Sequence, residues 1–316
     1  MRKTTRKNAG GNKNKAGVNK KKLGGNENNK TCKYNPDAKL KKTNCSPLGE
    51  NGFTCYTDKS LLKMKEYWNV KHPDCEITET DSKGIWLKLK GFMSDVCDIE
   101  SCWLKQKFMQ NNLNSELLNY TFSPDAPDSW KGNKHEWLSS VDIEKVMKQY
   151  EKKYPSFKFI GPSPIDFDTK KMYGECVWDE LCKFNIKNML NKGVNKVGII
   201  FNTDPHYESG SHWISMFVDL IKNKIYYFDS VGDAAPSEVD VLAERIQKQG
   251  ISMKRTMTYD NTEGVSHQKQ NTECGVYSIY FIVSMLEGED FNKFKHEKIN
   301  DGKIFTYRDK FFNLPE

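Results

Sequence analysis

Apolar and polar residues follow two different patterns in the second half of this chain. Between residues 197 and 230, apolar runs of strand length are separated by polar segments, and Lys222-Asn223 between the last two indicates a tight hairpin. On both sides of these runs, apolar residues recur at helical spacing. The predicted elements are helices at 140–150, 179–190, 237–250 and after Cys274, and strands at 197–203, 213–220, 224–230 and 253–259. Strands flanked by helices in this order predict an α+β domain that covers residues 135–316.

The first 134 residues differ from this domain in composition. Residues 1–30 consist largely of Lys, Asn and Gly, with almost no apolar side chains, which is typical of a disordered arm. Helical spacing begins near Thr57, a predicted N-cap, and continues in two candidate helices around GIWLKLKGFM and ESCWLKQKFM. We therefore expect an N-terminal helical region at 31–134, of which residues 111–134 form a linker rich in Asn, Ser, Pro and Asp.

The positive charge of the chain is concentrated at its N-terminal end. The formal net charge is +7, yet residues 1–30 contain ten Lys or Arg and one acid, Glu27, which leaves −2 for the rest. A basic tail on a near-neutral protein can be a solubilising or localising segment, or it can attract DNA through the phosphates. The sequence leaves both interpretations open.

The remaining composition disfavours several classes of protein. No run of about 18 apolar residues is present, which argues against a membrane span, and the basic N-terminus lacks the apolar segment of a secretory signal. The nine cysteines contain no CxxC pair, which disfavours a zinc ribbon and a thioredoxin-type site. We expect no metal and no cofactor. Eight cysteines are expected to be reduced structural side chains in a reducing compartment, with a disulfide among Cys32, Cys45 and Cys55 left open.

Cys274 differs from the other cysteines in its position. The segment QKQNTE before it is polar, whereas GVYSIYFIVSML directly after it is apolar enough to form a buried central helix. The thiolate is the nucleophilic form of cysteine, and the partial positive charge at a helix N-terminus stabilises it. Gly275 allows another segment to approach the sulfur closely. We therefore predict that Cys274 is a nucleophile.

A nucleophilic cysteine requires a base and a group that orients the base. His212 lies where a polar loop meets the strand WISMFVDL, and Asp229 ends the next strand, KIYYFDS. If these strands form an antiparallel hairpin, the start of one lies opposite the end of the other, so His212 and Asp229 should meet. Asp219 and Asp233 are weaker candidates for the orienting carboxylate, and His267 lacks an evident partner.

An enzyme that forms a thioester also needs hydrogen-bond donors for the oxyanion. The N–H of Cys274 at the helix start supplies one donor. The side-chain amide of Gln268 or Gln270, both on the polar loop before the cysteine, is a candidate for the second.

The order of these residues resembles that of a known clan of cysteine proteases, which includes adenovirus protease and the SUMO-specific proteases. The matching features are an HW pair before an apolar strand, an Asp after the next strand, and a Gln six residues before Cys-Gly. The resemblance implies four catalytic roles, those of base, orienting residue, oxyanion donor and nucleophile, for His212, Asp229, Gln268 and Cys274 respectively.

The same resemblance extends to two tryptophans and to the fold. WLSS, beginning at Trp137, is similar to the opening of the clan's catalytic domain, and Trp213 matches the tryptophan that packs near the imidazole, so both are expected to line the substrate site. The implied fold is α+β, a papain-like-inverted core in which helices pack on a mixed β-sheet and a central helix bears the cysteine, with an N-terminal helical subdomain. HQKQNTECGVYSIYFI is most similar to the proteases of large cytoplasmic DNA viruses, of the African swine fever virus type.

For function, the resemblance implies an endopeptidase that matures viral structural precursors by cutting after Gly-Gly. Its partners would be precursor polyproteins that contain Gly-Gly, in the host cytoplasm and the virion. The tail itself contains GGN at residues 10–12 and 24–26, so cleavage after Gly25 is a further hypothesis. Three alternatives stay open: an isopeptidase for ubiquitin-like modifiers, an acetyltransferase of the same clan, and a nucleic-acid-binding core protein with a vestigial protease domain.

Overall fold

The computed structural model describes residues 32–49, 52–110 and 115–314, without the side chains of residues 115 and 116. The predictions for the basic tail lie outside these residues. Within them, the helices are α1 (Asp58–Lys71), α2 (Ser82–Met93), α3 (Ser115–Tyr120), α4 (Ser140–Lys153), α5 (Asp179–Cys182), α6 (Ile186–Asn191), α7 (Ser237–Ser252), α8 (Cys274–Glu287), α9 (Phe291–His296), α10 (Asp301–Phe305) and α11 (Arg308–Phe311). The strands are β1 (Phe157–Pro164), β2 (Lys196–Asn202), β3 (Trp213–Asp219), β4 (Lys224–Phe228) and β5 (Thr258–Asn261), and short 3-10 helices cover Glu100–Lys105 and Asp128–Lys131.

The five strands form one mixed sheet in the order β1-β2-β3-β4-β5. The outer pairs β1/β2 and β4/β5 are parallel, whereas β2/β3 and β3/β4 are antiparallel. The predicted hairpin is confirmed, because Asp219 at the end of β3 pairs with Lys224 at the start of β4. In the turn between them, Asn223 adopts a positive φ of 57°, and the Asp219 carboxylate accepts hydrogen bonds from two turn N–H groups.

Helices cover both faces of the sheet. Neighbouring residues on a strand point to opposite faces, so Phe217 of β3 belongs to the core that includes α8, and Val218 belongs to the core that includes α7. All seven residues of β3 are buried, as is typical of a strand covered on both sides. Helix α8 is also buried along nearly its whole length. The sequence prediction of a central buried helix that begins at the cysteine is therefore confirmed.

The N-terminal region has a hydrophobic core of its own, built from α1, α2 and the first 3-10 helix. The rings of Tyr56 and Trp103 stack in this core at a centroid distance of 5.7 Å. Thr57 is the N-cap of α1, as predicted, and accepts a hydrogen bond from the Ser60 N–H at 3.1 Å. The third candidate helix, around ESCWLK, is a 3-10 helix at Glu100–Lys105.

The prediction of a linker at 111–134 requires correction, because its described part contains α3 and the 3-10 helix Asp128–Lys131 and buries Trp130 in the core beside α8. The segment is also hydrogen-bonded to the end of the chain. The Ala126 N–H donates to the Asn313 carbonyl at 2.8 Å, and the Asn313 N–H donates to the Pro124 carbonyl at the same distance. The Asn313 side chain accepts from the Asn44 N–H at 2.7 Å and donates to the Ser123 carbonyl at 2.8 Å. These bonds join the N-terminal region to the segment that follows α11.

Three element predictions require correction. Strand β1 was not predicted, because Gly161-Pro162 interrupts its apolar run and both residue types disfavour a strand interior. The helix predicted at 179–190 is divided into α5 and α6, since the Asn185 side chain accepts the Asn188 N–H and begins a new helix. The strand predicted at 253–259 begins only at Thr258, because α7 continues to Ser252 and a turn follows it, in which Lys254 adopts a positive φ of 58°.

The prediction of eight reduced cysteines is wrong. The structure contains four disulfides, Cys32–Cys75, Cys45–Cys55, Cys97–Cys102 and Cys176–Cys182. The fold brings the paired Cα atoms to between 5.0 and 6.3 Å, which is the range that a disulfide needs. One of the pairs, Cys45–Cys55, is among those that the sequence left open. Of the nine cysteines, Cys274 is the free one.

Candidate active site

The β3–β4 hairpin brings together the two residues that the sequence predicted as base and orienting group. His212 directly precedes β3, Asp229 directly follows β4, and His212 Nε2 lies 2.8 Å from Asp229 Oδ1. Oδ1 also accepts a hydrogen bond from the Val231 N–H at 2.9 Å, which fixes the position of the carboxylate. The Asp229 side chain is 3% exposed and that of His212 is 22% exposed. The carboxylate is therefore shielded from solvent while the imidazole remains accessible from one side.

Asp229 and Cys274 control the charge of the imidazole. Burial of the His212 ring opposes its charge, but the hydrogen bonds and negative charges of Asp229 and Cys274 outweigh burial and raise the pKa of His212 to about 10. Because Nε2 is bound to Asp229, Nδ1 is the nitrogen that remains for the Cys274 side chain. The ring is therefore an imidazolium at neutral pH, fixed between a carboxylate and a sulfur atom.

Cys274 is the first residue of α8, and its side chain is buried. The first N–H groups of a helix lack partners within the helix, so the backbone at Cys274 presents hydrogen-bond donors beside the sulfur. The next residue, Gly275, lies in a narrow space, since a Cβ built there would be 3.1 Å from the Leu138 Cβ and 3.2 Å from the Trp213 Cδ1. Trp213 is fixed in turn by donating its indole N–H to the Leu138 carbonyl at 3.0 Å. Glycine thus permits the close packing of α8 against the residue that follows His212.

Gln268 is buried on the loop that leads to Cys274. Its backbone N–H donates to the Ser230 carbonyl at 2.7 Å, and its side-chain carbonyl accepts from the Ser230 hydroxyl, also at 2.7 Å. The amide nitrogen donates to the Gln270 carbonyl. Because a primary amide carries two N–H bonds, one donor remains after this bond. Ser230, which follows Asp229, thereby links the hairpin to the loop that carries Gln268.

Other residues that the sequence considered lie in different environments. His267 is buried, and its ring stacks on Phe294 at a centroid distance of 5.5 Å. Burial lowers the pKa of His267 to about 4, so the ring is neutral and belongs to the core. Asp219 binds the N–H groups of the hairpin turn. The Gln270 side chain is exposed, and the backbone carbonyl of Gln270 accepts the hydrogen bond from the Gln268 amide.

A surface cleft leads to His212 and Trp213. Its volume is about 720 Å³, and the residues that line it include Trp137, Trp178 and Pro162. Trp137 is 40% exposed and Trp213 is 8% exposed. The two tryptophans that the resemblance assigned to the substrate site therefore line the same cleft as the imidazole.

Several residues around the site were not identified from the sequence. Ser230 has no distinguishing sequence feature other than its position after Asp229. Leu138 is the second residue of the WLSS motif. Asp301 and Arg308 lie in α10 and α11, where they read as ordinary surface residues of short polar helices. Both are nevertheless buried and contact the loop before Cys274.

In the described part of the chain, one group of His, Cys, Asp or Glu side chains lies close enough to share an ion, namely Cys32, Asp74 and Cys75. Its two sulfur atoms are joined in a disulfide, and none of the four predicted catalytic residues belongs to it. None of the described helices combines the length and apolar character that crossing a membrane requires.

The sequence pattern of the Ulp1 protease family, C-terminal catalytic domain, matches residues 143–314, which is more than half of the chain. The chain belongs to this family. The Ulp1-family assignment confirms the predicted clan and enzyme class, so the protein is a cysteine protease. The matched range contains all four residues of the predicted catalytic set.

Viral proteins are among the relatives of this Ulp1-family protease. A protein of Acanthamoeba polyphaga mimivirus that is named as a thiol protease is 31% identical over 264 residues, 81% of this chain and 83% of the relative. A protein of African swine fever virus named as a SUMO-1 cysteine protease is 27% identical over 255 residues, 74% of this chain and 90% of the relative. The crystal structure of the African swine fever virus protease has a TM-score of 0.63 at 21% identity, and the match covers 90% of this chain and 98% of that one. This likeness confirms the predicted fold class.

Proposed function

We propose that this cysteine protease is an endopeptidase that cleaves viral structural precursor proteins after Gly-Gly during virion maturation. The observation that supports the proposal most directly is the extent of the viral likeness. The family pattern matches the catalytic domain alone, whereas the match to the African swine fever virus protease covers 90% of this chain and therefore includes part of the N-terminal region.

The geometry supports acyl transfer through a thioester. The Cys274 sulfur attacks the carbonyl carbon after the second glycine, and the oxyanion accepts hydrogen bonds from the Cys274 N–H and the remaining Gln268 amide N–H. The His212 imidazolium gives its proton to the leaving amine as the C–N bond breaks. The neutral imidazole then takes a proton from water, which attacks the thioester and releases the carboxylic acid and the thiolate. Asp229 holds the ring in place and stabilises its charge throughout.

A second candidate function is removal of ubiquitin-like modifiers. One specific observation favours it, because the African swine fever virus relative carries the name SUMO-1 cysteine protease. Such modifiers also end in Gly-Gly, so the catalytic residues serve both functions equally well. The difference lies in the substrate: an isopeptidase depends on the folded modifier, whereas a maturation protease cleaves an extended segment.

The two functions can be separated by matched substrates. Wild type and Cys274→Ala are incubated with a Gly-Gly precursor-type peptide, with the same peptide carrying Ala-Ala, and with a folded modifier fused to a reporter. We expect the wild type to cleave the Gly-Gly peptide at least as fast as the fusion, and neither the Ala-Ala peptide nor the variant to give product. Cleavage of the fusion alone would favour the isopeptidase, and activity of Cys274→Ala would refute the nucleophile assignment.

We further propose roles for the tail that lies outside the described residues. Two Gly-Gly pairs in residues 1–30 make the enzyme a candidate for removing its own tail after Gly25. Mass spectrometry of the wild type beside Cys274→Ala tests this, and an intact tail in both contradicts it. The basic tail also supports DNA binding, which would concentrate the enzyme at assembly sites in the host cytoplasm and in the virion. DNA affinity that survives deletion of residues 1–30 would exclude the tail as the binding segment.

A further inference from the structure

A buried ion pair lies immediately before the nucleophile. Arg308 Nε donates to Glu273 Oε2 at 2.8 Å, and both side chains are at most 2% exposed. Glu273 is the N-cap residue of α8, and its carbonyl accepts the Tyr277 N–H in the first turn of that helix. Arg308 belongs to α11, which is remote in sequence. A side chain from the end of the chain therefore holds the residue next to Cys274.

The contacts of this pair extend to the backbone of the loop. Arg308 Nη2 lies 3.4 Å from the Thr272 carbonyl, and the Thr272 hydroxyl donates to Glu273 Oε1 at 3.1 Å. The guanidinium also lies over the Trp130 ring, 4.4 Å from its centroid. This cation–π contact stabilises the charge away from water. Thr272 and Glu273, the two residues before the nucleophile, are thus fixed by one rigid planar group.

The other part of the loop is held by α10. The Asp301 carboxylate accepts the backbone N–H groups of Lys269 and Gln270 at 3.0 and 3.1 Å. It also accepts the Tyr277 hydroxyl of α8 at 3.2 Å. Asp301 and Arg308 therefore anchor the loop between Gln268 and Cys274 at two separate points, both provided by the C-terminal helices.

Burial of such a pair is not explained by stability alone. Moving two charges out of water costs free energy that their attraction often only just offsets, and apolar residues of similar size are often as stable. Catalysis imposes a different requirement, because the sulfur, the His212 ring and the oxyanion donors must keep one geometry. An ion pair with directional hydrogen bonds fixes orientation in a way that apolar packing does not.

We propose that Arg308 and Glu273 are positioning residues, which fix the backbone before Cys274 so that the sulfur and its N–H face the substrate carbonyl. Neither side chain touches the reacting atoms in this arrangement. They act through the Thr272–Glu273 backbone and the first turn of α8. The proposal depends on the cysteine protease chemistry of this site and not on whether the substrate is a viral precursor or a modifier.

The test compares a single with a double variant. Arg308→Met removes the guanidinium from the buried Glu273 carboxylate and leaves the exposed His135 ring, 3.7 Å from Oε1, as its basic neighbour, so both the melting temperature and the activity should fall. Glu273→Leu with Arg308→Met replaces the pair by apolar side chains, and the melting temperature should return close to that of the wild type. Both variants are assayed with a substrate that the wild type cleaves. In the double variant we expect kcat to remain about 100-fold below the wild-type value and KM to change less than about twofold. The reason is that the catalytic geometry is lost while the fold is kept.

A substrate-independent measurement and a matched control complete the experiment. Iodoacetamide should alkylate Cys274 more slowly in the double variant than in the wild type. Arg245→Met is the control, because Arg245 binds the Asp168 carboxylate and the Leu181 and Cys182 carbonyls away from the catalytic loop. It should lower the melting temperature without lowering kcat. Recovery of kcat together with stability in the double variant would overturn the proposal, as would a wild-type kcat in a folded Arg308→Met.

Discussion

Replacement of Asp229 by Asn tests the electrostatic role of the hairpin pair with the smallest possible change of shape. The Asn side chain keeps an oxygen within reach of His212 Nε2 and of the Val231 N–H, which lie 2.8 and 2.9 Å from Oδ1 in the wild type. What it removes is the negative charge, at a side chain that is 3% exposed. The substitution therefore separates the charge of Asp229 from its packing.

The size of the effect follows from the pKa of His212, which is about 10 instead of the ordinary 6.5. At about 1.36 kcal/mol for each factor of ten in proton affinity, the folded protein holds the ring proton more strongly by roughly 5 kcal/mol. Because the folded pKa is raised, this stabilisation is fully present below pH 6.5 and is lost as the pH rises through about 10. When the pH is raised from 7 to 9, the contribution of His212 to the free energy of unfolding should therefore decrease by about 2 to 3 kcal/mol.

In Asp229→Asn, burial still lowers the pKa of His212 and Cys274 alone raises it, so the pKa should fall well below 10. The pH-dependent loss that comes from His212 should then shrink to less than about 1 kcal/mol between pH 7 and pH 9. Urea unfolding of both proteins at the two pH values measures the difference. An NMR titration of the His212 ring gives its pKa directly, and the alkaline limb of kcat/KM should move to lower pH in the variant.

A matched control is available in the same domain. Asp166 lies 2.6 Å from His206 in a second histidine–carboxylate pair, whose imidazole is 40% exposed. Asp166→Asn therefore removes a similar contact from a more solvated position and should not shift the alkaline limb of the pH profile of kcat/KM. Equal pH dependence of unfolding in wild type and Asp229→Asn would refute the assignment of the raised pKa to the Asp229 charge.

Two further substitutions test packing near the site and the attachment of the N-terminal region. Gly275→Ala places a methyl group 3.1 Å from Leu138 and 3.2 Å from Trp213. We expect the free energy of unfolding, measured by calorimetry, to fall by about 1–3 kcal/mol and kcat to fall as well. Unchanged activity would contradict the close-packing argument. Asn313→Ala leaves the Asn44 N–H without its acceptor at 2.7 Å, which should cost about 1–3 kcal/mol in urea unfolding. A free energy of unfolding equal to that of the wild type would count against this bond.

Much of the fold could be predicted because its signals are local. Strands β2, β3 and β4 are apolar runs bounded by polar turns, and α8 is an apolar helix with an abrupt polar start, so pattern alone gives their positions. Strand β1 lacked this signal because Gly161-Pro162 lies inside it. Its place at the sheet edge, in parallel pairing with β2, depends on a contact between segments that are distant in sequence.

The sequence by itself was sufficient to select the candidate catalytic residues. His212 lies before the first of two strands joined by a short turn, and Asp229 lies after the second. Antiparallel pairing of these strands therefore places the two side chains next to each other. Cys274 likewise begins a helix whose apolar character forces it into the core. These relations extend over fewer than twenty residues within the hairpin and the helix, which is why spacing was sufficient.

Only the tertiary structure decided which residues distant in sequence contact one another. Cys32 and Cys75 are 43 residues apart, and no local pattern distinguishes a cysteine that will find a partner from one that will not. Arg308 reads as a charged residue of a short polar helix, yet the fold buries it against Glu273 and Trp130. The physical reason is the same in both cases: burial and pairing depend on how separate elements pack, and that packing is a property of the whole chain.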